Sequence, residues 1–267
     1  MLNAQDWQKI IDFIDERDPG FRGRIRGATA ERIAQLQAIH VAKLPRAYVD
    51  FLALMGEDHG GFEFSWEHYS TIDDLLANGT PTEDSQLPYP ETRLLWIAGQ
   101  KNEEDDSYWG DLYLDMKDGD RDDPPVIAHD FYDEEPDDPG PESVLALRFT
   151  DLIQSNAYAN YERIKNMYQY WFSLQFSKKK TAAVWQRLRE QLQAMGWQEC
   201  LPGSESTWFG QHAEPLSLDV KMNHRGMIRI LVGANERKRV LSVVEELKDE
   251  FPTMANPGNW FVDRDEE

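Results

Sequence analysis

Between Lys101 and Asp151 the chain sets 18 carboxylates against 4 basic side chains, yet threads short apolar runs through them. Such a segment cannot be buried as a block, because each unpaired carboxylate taken out of water costs several kcal/mol, to order of magnitude. The apolar runs must pack as strands, and the acidic runs must stay in water as their connections. In Trp109 to Met116, Leu112, Leu114 and Met116 fall on one face of an extended chain, with Asp111, Tyr113 and Asp115 on the other. That pattern predicts a half-buried strand. Pro125 to His129 supplies the next one.

The charge is local. Residues 1–100 carry −7, residues 101–151 carry −14 and residues 152–267 carry 0, which together give the net −21. A field of this sign repels nucleic acid, whose binding relies on basic side chains displacing counterions from phosphates, and it steers a basic protein inward. The expected partner is therefore a protein with a basic surface. The competing reading of the charge run is a solvated acidic loop that adds only solubility.

With 267 residues, 40% of them hydrophobic, the chain has material for one large core or two modest ones. The single cysteine, Cys200, has no intrachain partner, and the amino-terminal stretch reads as an acidic amphipathic helix without the basic start and apolar run of a signal peptide. No apolar stretch approaches the roughly 20 residues of a membrane span. These features lead us to expect a cytoplasmic protein with no membrane partner.

The first third reads as helical. Trp7, Ile10, Ile11 and Ile14 share one face, Ile33, Leu36 and Ile39 another behind a cap at Thr29, and Tyr48, Phe51, Leu52 and Met55 a third behind Leu44-Pro45. Strands are predicted at 62–66, 93–98, 108–116 and 125–129, a short helix at 71–76, and a helix or pair of helices over 148–167 that closes a first domain at about residue 160. The remainder, 161–267, reads as strand, helix, strand, strand, helix, strand: Tyr170–Phe176, 178–195, Leu216–Met222, Met227–Val232, 235–252 and Trp260–Val262. That order predicts a smaller ferredoxin-like α/β sandwich of the split βαβ kind.

The run Leu44-Pro45-Arg46-Ala47-Tyr48-Val49-Asp50-Phe51-Leu52, followed by Gly56 and Gly60-Gly61, resembles the entry motif of the SUKH superfamily. The likeness continues through Tyr108–Asp115, Pro125–Asp130 and Leu147–Ile153, and covers residues 5–157. Two departures stand out: Met55-Gly56-Glu57-Asp58-His59-Gly60-Gly61 replaces an Asn-Gly-Gly turn, and the closing helix lacks the common Ser-Phe-x-x-Phe-Leu wording. The resemblance implies an α+β domain with helices packed on a mostly antiparallel sheet. It also implies either an immunity protein that binds and neutralises a secreted bacterial toxin, or an intracellular regulatory or scaffold module that binds a signalling partner.

Motifs for chemistry are sparse. Asp118-Gly119-Asp120-Arg121-Asp122-Asp123 has the alternation of a calcium loop, but Asp123 and His129 occupy the positions where an EF-hand needs glycine and glutamate. The six histidines form no HExxH and Cys200 no CxxC, so neither a metal nor a cofactor is expected. Gly20-Phe21-Arg22-Gly23-Arg24-Ile25-Arg26-Gly27 reads equally as an anion cradle or as a loop between helices. His59, beside two glycines, reads as a polar turn residue. His129 near Asp130 and Tyr132–Glu135 would suit an enzyme only if a pocket gathered them. The leading expectation is non-catalytic binding through Glu103, Glu104, Asp105, Asp106, Tyr108, Trp109, Asp122, Asp123, Tyr132, Asp133, Glu134, Glu135, Asp137 and Asp138, with Tyr113 and Phe131 interleaved. Aromatic side chains among carboxylates suit an interface in which the rings anchor and the charges steer. A nuclease toxin, which must present lysine and arginine to phosphates, is the best fit. The second domain is a candidate for a further contact surface or for dimerisation.

Overall fold

A computed structural model of the chain describes residues 4–63, 68–78, 93–100, 111–118, 121–129, 143–162, 165–166, 168–175, 178–202, 204, 207–211, 216–222, 227–250 and 260–263. It divides into two compact units, residues 1–5 with 18–156 and residues 6–17 with 157–267. Helix α1 (Ala4–Asp15) thus belongs mainly to the second unit, whereas the sequence placed it in the first. Both units are mixed α/β, and every strand pairing among the described residues is antiparallel.

The first unit opens with α2 (Phe21–Arg24), β1 (Ile25–Arg26), α3 (Ala30–Ile39), α4 (Arg46–Met55) and β2 (Asp58–His59). The Thr29 hydroxyl accepts the Arg32 N–H, the predicted cap of α3. α4 begins behind Pro45, whose missing N–H costs nothing there, and buries Tyr48, Phe51, Leu52 and Met55, the face read from the sequence. Gly60 and Gly61 sit at φ +65° and +90°, the left-handed region that favours glycine, and turn the chain out of the small β1–β2 ladder. Gly27 is required for a different reason. A Cβ there would lie 1.9 Å from the Ala53 carbonyl oxygen, because Ala28 donates its N–H to the Leu52 carbonyl and draws the two backbones together.

Next come β3 (His68–Tyr69), α5 (Ile72–Asn78), β4 (Leu94–Gln100), β5 (Asp111–Asp115), β6 (Val126–His129) and β7 (Ser143–Ala146), which form a five-stranded sheet in sequence order. α6 (Phe149–Tyr161) is one continuous helix, the first of the two alternatives, a helix or a pair of helices, that the sequence leaves open for this stretch. Phe149 at its start meets Tyr48 and Phe51 edge-on, at ring-centre distances of 5.4 and 5.5 Å. β5 is buried on both faces at its centre. Leu112 and Leu114 are buried as predicted, but Tyr113 is buried too, clustered with Leu94, Ile127 and Trp96.

The second unit contains β8 (Tyr168–Gln175), α7 (Lys178–Ala194), β9 (Gln198–Glu199), β10 (Thr207–Gln211), β11 (Leu216–Met222), β12 (Met227–Ala234), α8 (Arg237–Glu250) and β13 (Trp260–Asp263). Its sheet runs β13-β8-β12-β11-β10-β9. The first four places are the order of a split βαβ sandwich, extended at one edge by β10 and β9, which the sequence reading did not contain. Alternate residues Tyr170, Phe172, Leu218, Val220, Ile228, Ile230 and Val232 pack against Trp185, Leu188 and Leu192 of α7 and Val240, Val244 and Leu247 of α8. Tyr158 is buried as well, donating its hydroxyl to the Gly210 carbonyl at 2.9 Å and accepting the Leu218 N–H at 2.8 Å.

Candidate functional site

The five-stranded sheet sorts the acidic segment into two ends. Asp111 faces His129 in the β5–β6 ladder, and Gln100, the last residue of β4, and Ser143, the first of β7, lie at that same end. The chain between Gln100 and Asp111, and that between His129 and Ser143, is therefore attached to one end of one sheet. Segments 101–110 and 130–142 hold eleven carboxylates against the single Lys101. Of the expected site, Glu103, Glu104, Asp105, Asp106, Tyr108, Trp109, Tyr132, Asp133, Glu134, Glu135, Asp137 and Asp138 lie in these segments, outside the described residues, as do Asp130 and Phe131.

The opposite end gathers Leu94, Asp115, Val126 and Ala146, and here the carboxylates have internal tasks. Asp115 accepts from Arg93 Nε at 3.3 Å and from the Lys117 N–H at 3.0 Å. Asp118 lies 3.7 Å from Arg121. Asp122 is exposed, but its main-chain carbonyl accepts the Ala47 N–H at 2.9 Å, satisfying a first-turn donor of α4 that Pro45 has no side-chain oxygen to meet. Asp123 is buried. Its Oδ1 accepts the Thr150 N–H at 3.1 Å and its Oδ2 the Thr150 hydroxyl at 2.6 Å, so it caps the first turn of α6 from 27 residues away. Asp123 therefore leaves the predicted partner-binding set, while the Asp122 side chain is exposed. They stand at the far end of the sheet, and Asp123 has turned inward because a helix amino terminus offers its carboxylate two donors and a favourable dipole.

Other candidates resolve similarly. The arginines of the glycine-rich run are held by protein groups: Arg24 pairs with Asp18 and donates to the Gly60 carbonyl, and Arg26 pairs with Asp58 at 3.2 Å. That is the loop reading of the run, with Arg22 engaged as well. His59 sits in β2 with its ring 5.5 Å from that of Phe51, a packing role. Tyr113 is a core residue of the sheet and so leaves the interface aromatics.

In the second unit, Lys9, Asp12, Phe13, Glu16 and Arg17 line an open groove of about 580 Å³ with residues 198–202, including Cys200. Arg17 is committed there, lying over the Phe13 ring at 3.7 Å and donating to Glu162 at 2.6 Å. Burial pushes the Cys200 thiol up to about 12, and its Sγ lies 3.4 Å from the Phe209 carbonyl. A thiol held protonated in this way supplies no nucleophile at neutral pH. Among the described residues no group of three or more His, Cys, Asp or Glu converges as metal ligands would. None of the helices among them is long and apolar enough to cross a membrane.

The sequence reading missed β7. Its signal was present, since Val144-Leu145-Ala146-Leu147 is an uncharged apolar run bounded by Pro141 and Arg148. Comparison with models of known protein families, with curated proteins and with solved structures gave no significant match.

Proposed function

We propose that the chain is an immunity-type protein that binds and neutralises a cognate secreted toxin through the acidic end of its five-stranded sheet, with a nuclease as the toxin class that fits best. The observation that carries this reading is the attachment of two segments with eleven carboxylates and one lysine to the same end of one sheet. A rigid sheet end holds the four attachment points together, so the charges act as one field. An enzyme that handles nucleic acid exposes lysine and arginine to phosphates, and a phosphate-like array of carboxylates competes for that surface and accelerates encounter. The SUKH-like wording of α4 supports the same reading, with Tyr48, Phe51 and Leu52 serving to seat the helix.

The test begins with co-purification of the chain with the product of the adjacent gene, followed by association kinetics across a salt series. Neutralising Glu103–Asp106 and Asp133–Asp138 to amides should lower the association rate at least about tenfold at low salt and flatten its salt dependence. Unchanged kinetics would remove the acidic end from the interface. A partner with a signalling role and no toxic activity would favour the regulatory module instead.

A further inference from the structure

The chain leaves its amino-terminal helix in the second unit and returns to that unit only at residue 157. A helix of 12 residues is marginal in water by itself, so α1 keeps its shape through what it packs against. Its carboxyl end makes a compact set of contacts with the chain around the end of α6. The Phe13 ring stacks on Tyr158 at 6.2 Å, and Tyr158 lies 5.1 Å from Phe209 and bonds to Gly210 and Leu218. One turn on, the Arg17 guanidinium covers the Phe13 ring, donates to the Phe13 carbonyl at 3.1 Å and meets Glu162 at 2.6 Å. Both members of that ion pair are mostly out of water, with side chains 11% and 16% exposed.

Arg17 therefore acts twice. It satisfies a carbonyl of the last helical turn and places positive charge at the negative end of the helix dipole. It also ties that end to Glu162, 145 residues away along the chain, so the entropy of a long closure weighs against the contact. The groove on the other side of α1 offers no ionic substitute. Water reaches the helix there, and Asp12 and Glu16 look across at residues 198–202, whose one charged side chain, Glu199, has the same sign. Lys9, on the same wall as Asp12, is engaged by Asp6 at 3.4 Å. We propose that α1 is a latched strap: it undocks and melts ahead of the sheet of the second unit, and the Arg17–Glu162 pair sets how often it does so. Trp7, Ile10, Ile11 and Ile14 are buried, so the open form is a rare excursion of the native protein, reached while β11 and β12 stay paired. The device is an order–disorder element whose opening uncovers the face of Tyr158 that Phe13 holds. It stands independently of the acidic end of the first unit.

Native-state hydrogen exchange on the full chain, repeated at several low urea concentrations, reads the opening. The amides from Ile10 to Ile14 should exchange as one group, at least about tenfold faster than those of β11 and β12. Arg17→Met should speed that group by about a further tenfold, because it leaves Glu162 without its cation, and should not change β5 and β6 of the first unit. Glu162→Gln should do nearly the same. The double variant should add little to either single one, since both cut the same latch. Arg17→Lys keeps the charge but loses the planar fork, so its rate should fall between wild type and Arg17→Met, and it carries the comparison if Arg17→Met does not hold the second unit folded. Exchange of α1 at one common rate with β11 and β12 would show that helix and sheet open only together, and overturns the strap. Additive effects of Arg17→Met and Glu162→Gln overturn the latch, as does acceleration of β5 and β6 equal to that of α1.

Discussion

Asp123 is a carboxylate that holds the fold, unlike those proposed to meet a partner, and Asp123→Ala isolates its role. The substitution removes both acceptors from Thr150, which is itself 2% exposed. Loss of a helix cap costs about 1 kcal/mol, within a range of about 0.5–2. Leaving the buried Thr150 hydroxyl without its partner adds about 1–3 kcal/mol. The expected loss is therefore about 2–4 kcal/mol. With a urea slope near 2 kcal/mol/M, the midpoint of the first unit's transition should fall by about 1–2 M. Asp123→Asn is the informative comparison. Its amide oxygen can accept the Thr150 N–H and its amide nitrogen can donate to the hydroxyl, so only the charge against the helix dipole is lost, about 0.3–1 kcal/mol. Asp122→Ala should change stability by less than about 0.5 kcal/mol, because only its main-chain carbonyl is used. Urea unfolding followed by circular dichroism, with hydrogen exchange at the first turn of α6, reads all three. Equal midpoints for Asp123→Ala and Asp123→Asn would refute the capping argument.

Tyr158→Phe leaves the Gly210 carbonyl and the Leu218 N–H without the hydroxyl that joins them, and should destabilise the second unit by about 2–4 kcal/mol in thermal or urea melts. The native Cys200 thiol should react with an aromatic disulfide reagent at pH 8 roughly a thousandfold more slowly than in the unfolded chain, since its thiolate fraction falls with a value pushed up to about 12. Because that value lies above the ordinary thiol value of 9.0, the stabilisation that accompanies it is complete below about pH 9 and is lost as the pH climbs toward 12, a decline that Cys200→Ser should reduce. Burial lowers His40 below 6.5, so the folded state binds fewer protons there and stability should fall as the pH drops through 6.5. His40→Gln should flatten melts recorded between pH 7 and 5.5.

Local chemistry made much of the fold legible. The Thr29 cap, the Pro45 start and the apolar face of α4 are set within one or two helical turns, and the sequence displays them directly. The βαββαβ order was readable because its strands alternate and its helices keep a period near 3.6. Partnership at long range was not. Tyr113 reads as solvent-facing from alternation alone, but β4 and β6 flank β5 and bring Leu94 and Ile127 against it. The sequence leaves one helix or two open over 148–167; Ser155 and Asn156 are weak helix formers, but Gln154 is 0% exposed and burial carries α6 through them. β10 escaped because Gly210 interrupts a short aromatic run among serines and glycines, and its register comes from β11. Nothing within a few residues of Asp123 indicates that Thr150 will take up its carboxylate.

The same long-range pairing decides how much of the acidity can act on a partner. Of the 18 carboxylates between Lys101 and Asp151, eleven lie in the segments at one end of the sheet. Among the other seven, Asp115 is held by Arg93, Asp118 by Arg121 and Asp123 by Thr150, and Asp151 is 1% exposed. A carboxylate already engaged by a guanidinium or a helix terminus contributes little field beyond its own neighbourhood, since the opposite charge or dipole cancels it over about a Debye length of 8 Å. The salt dependence of partner association should therefore follow neutralisation of residues 103–106 and 133–138. Asp115→Asn and Asp123→Asn should leave it unchanged and affect melting alone. If Asp115→Asn or Asp123→Asn slowed association as much per charge as Asp133→Asn, without loss of stability, the field would belong to the whole segment, and the division of the sheet into a structural end and a binding end would be wrong.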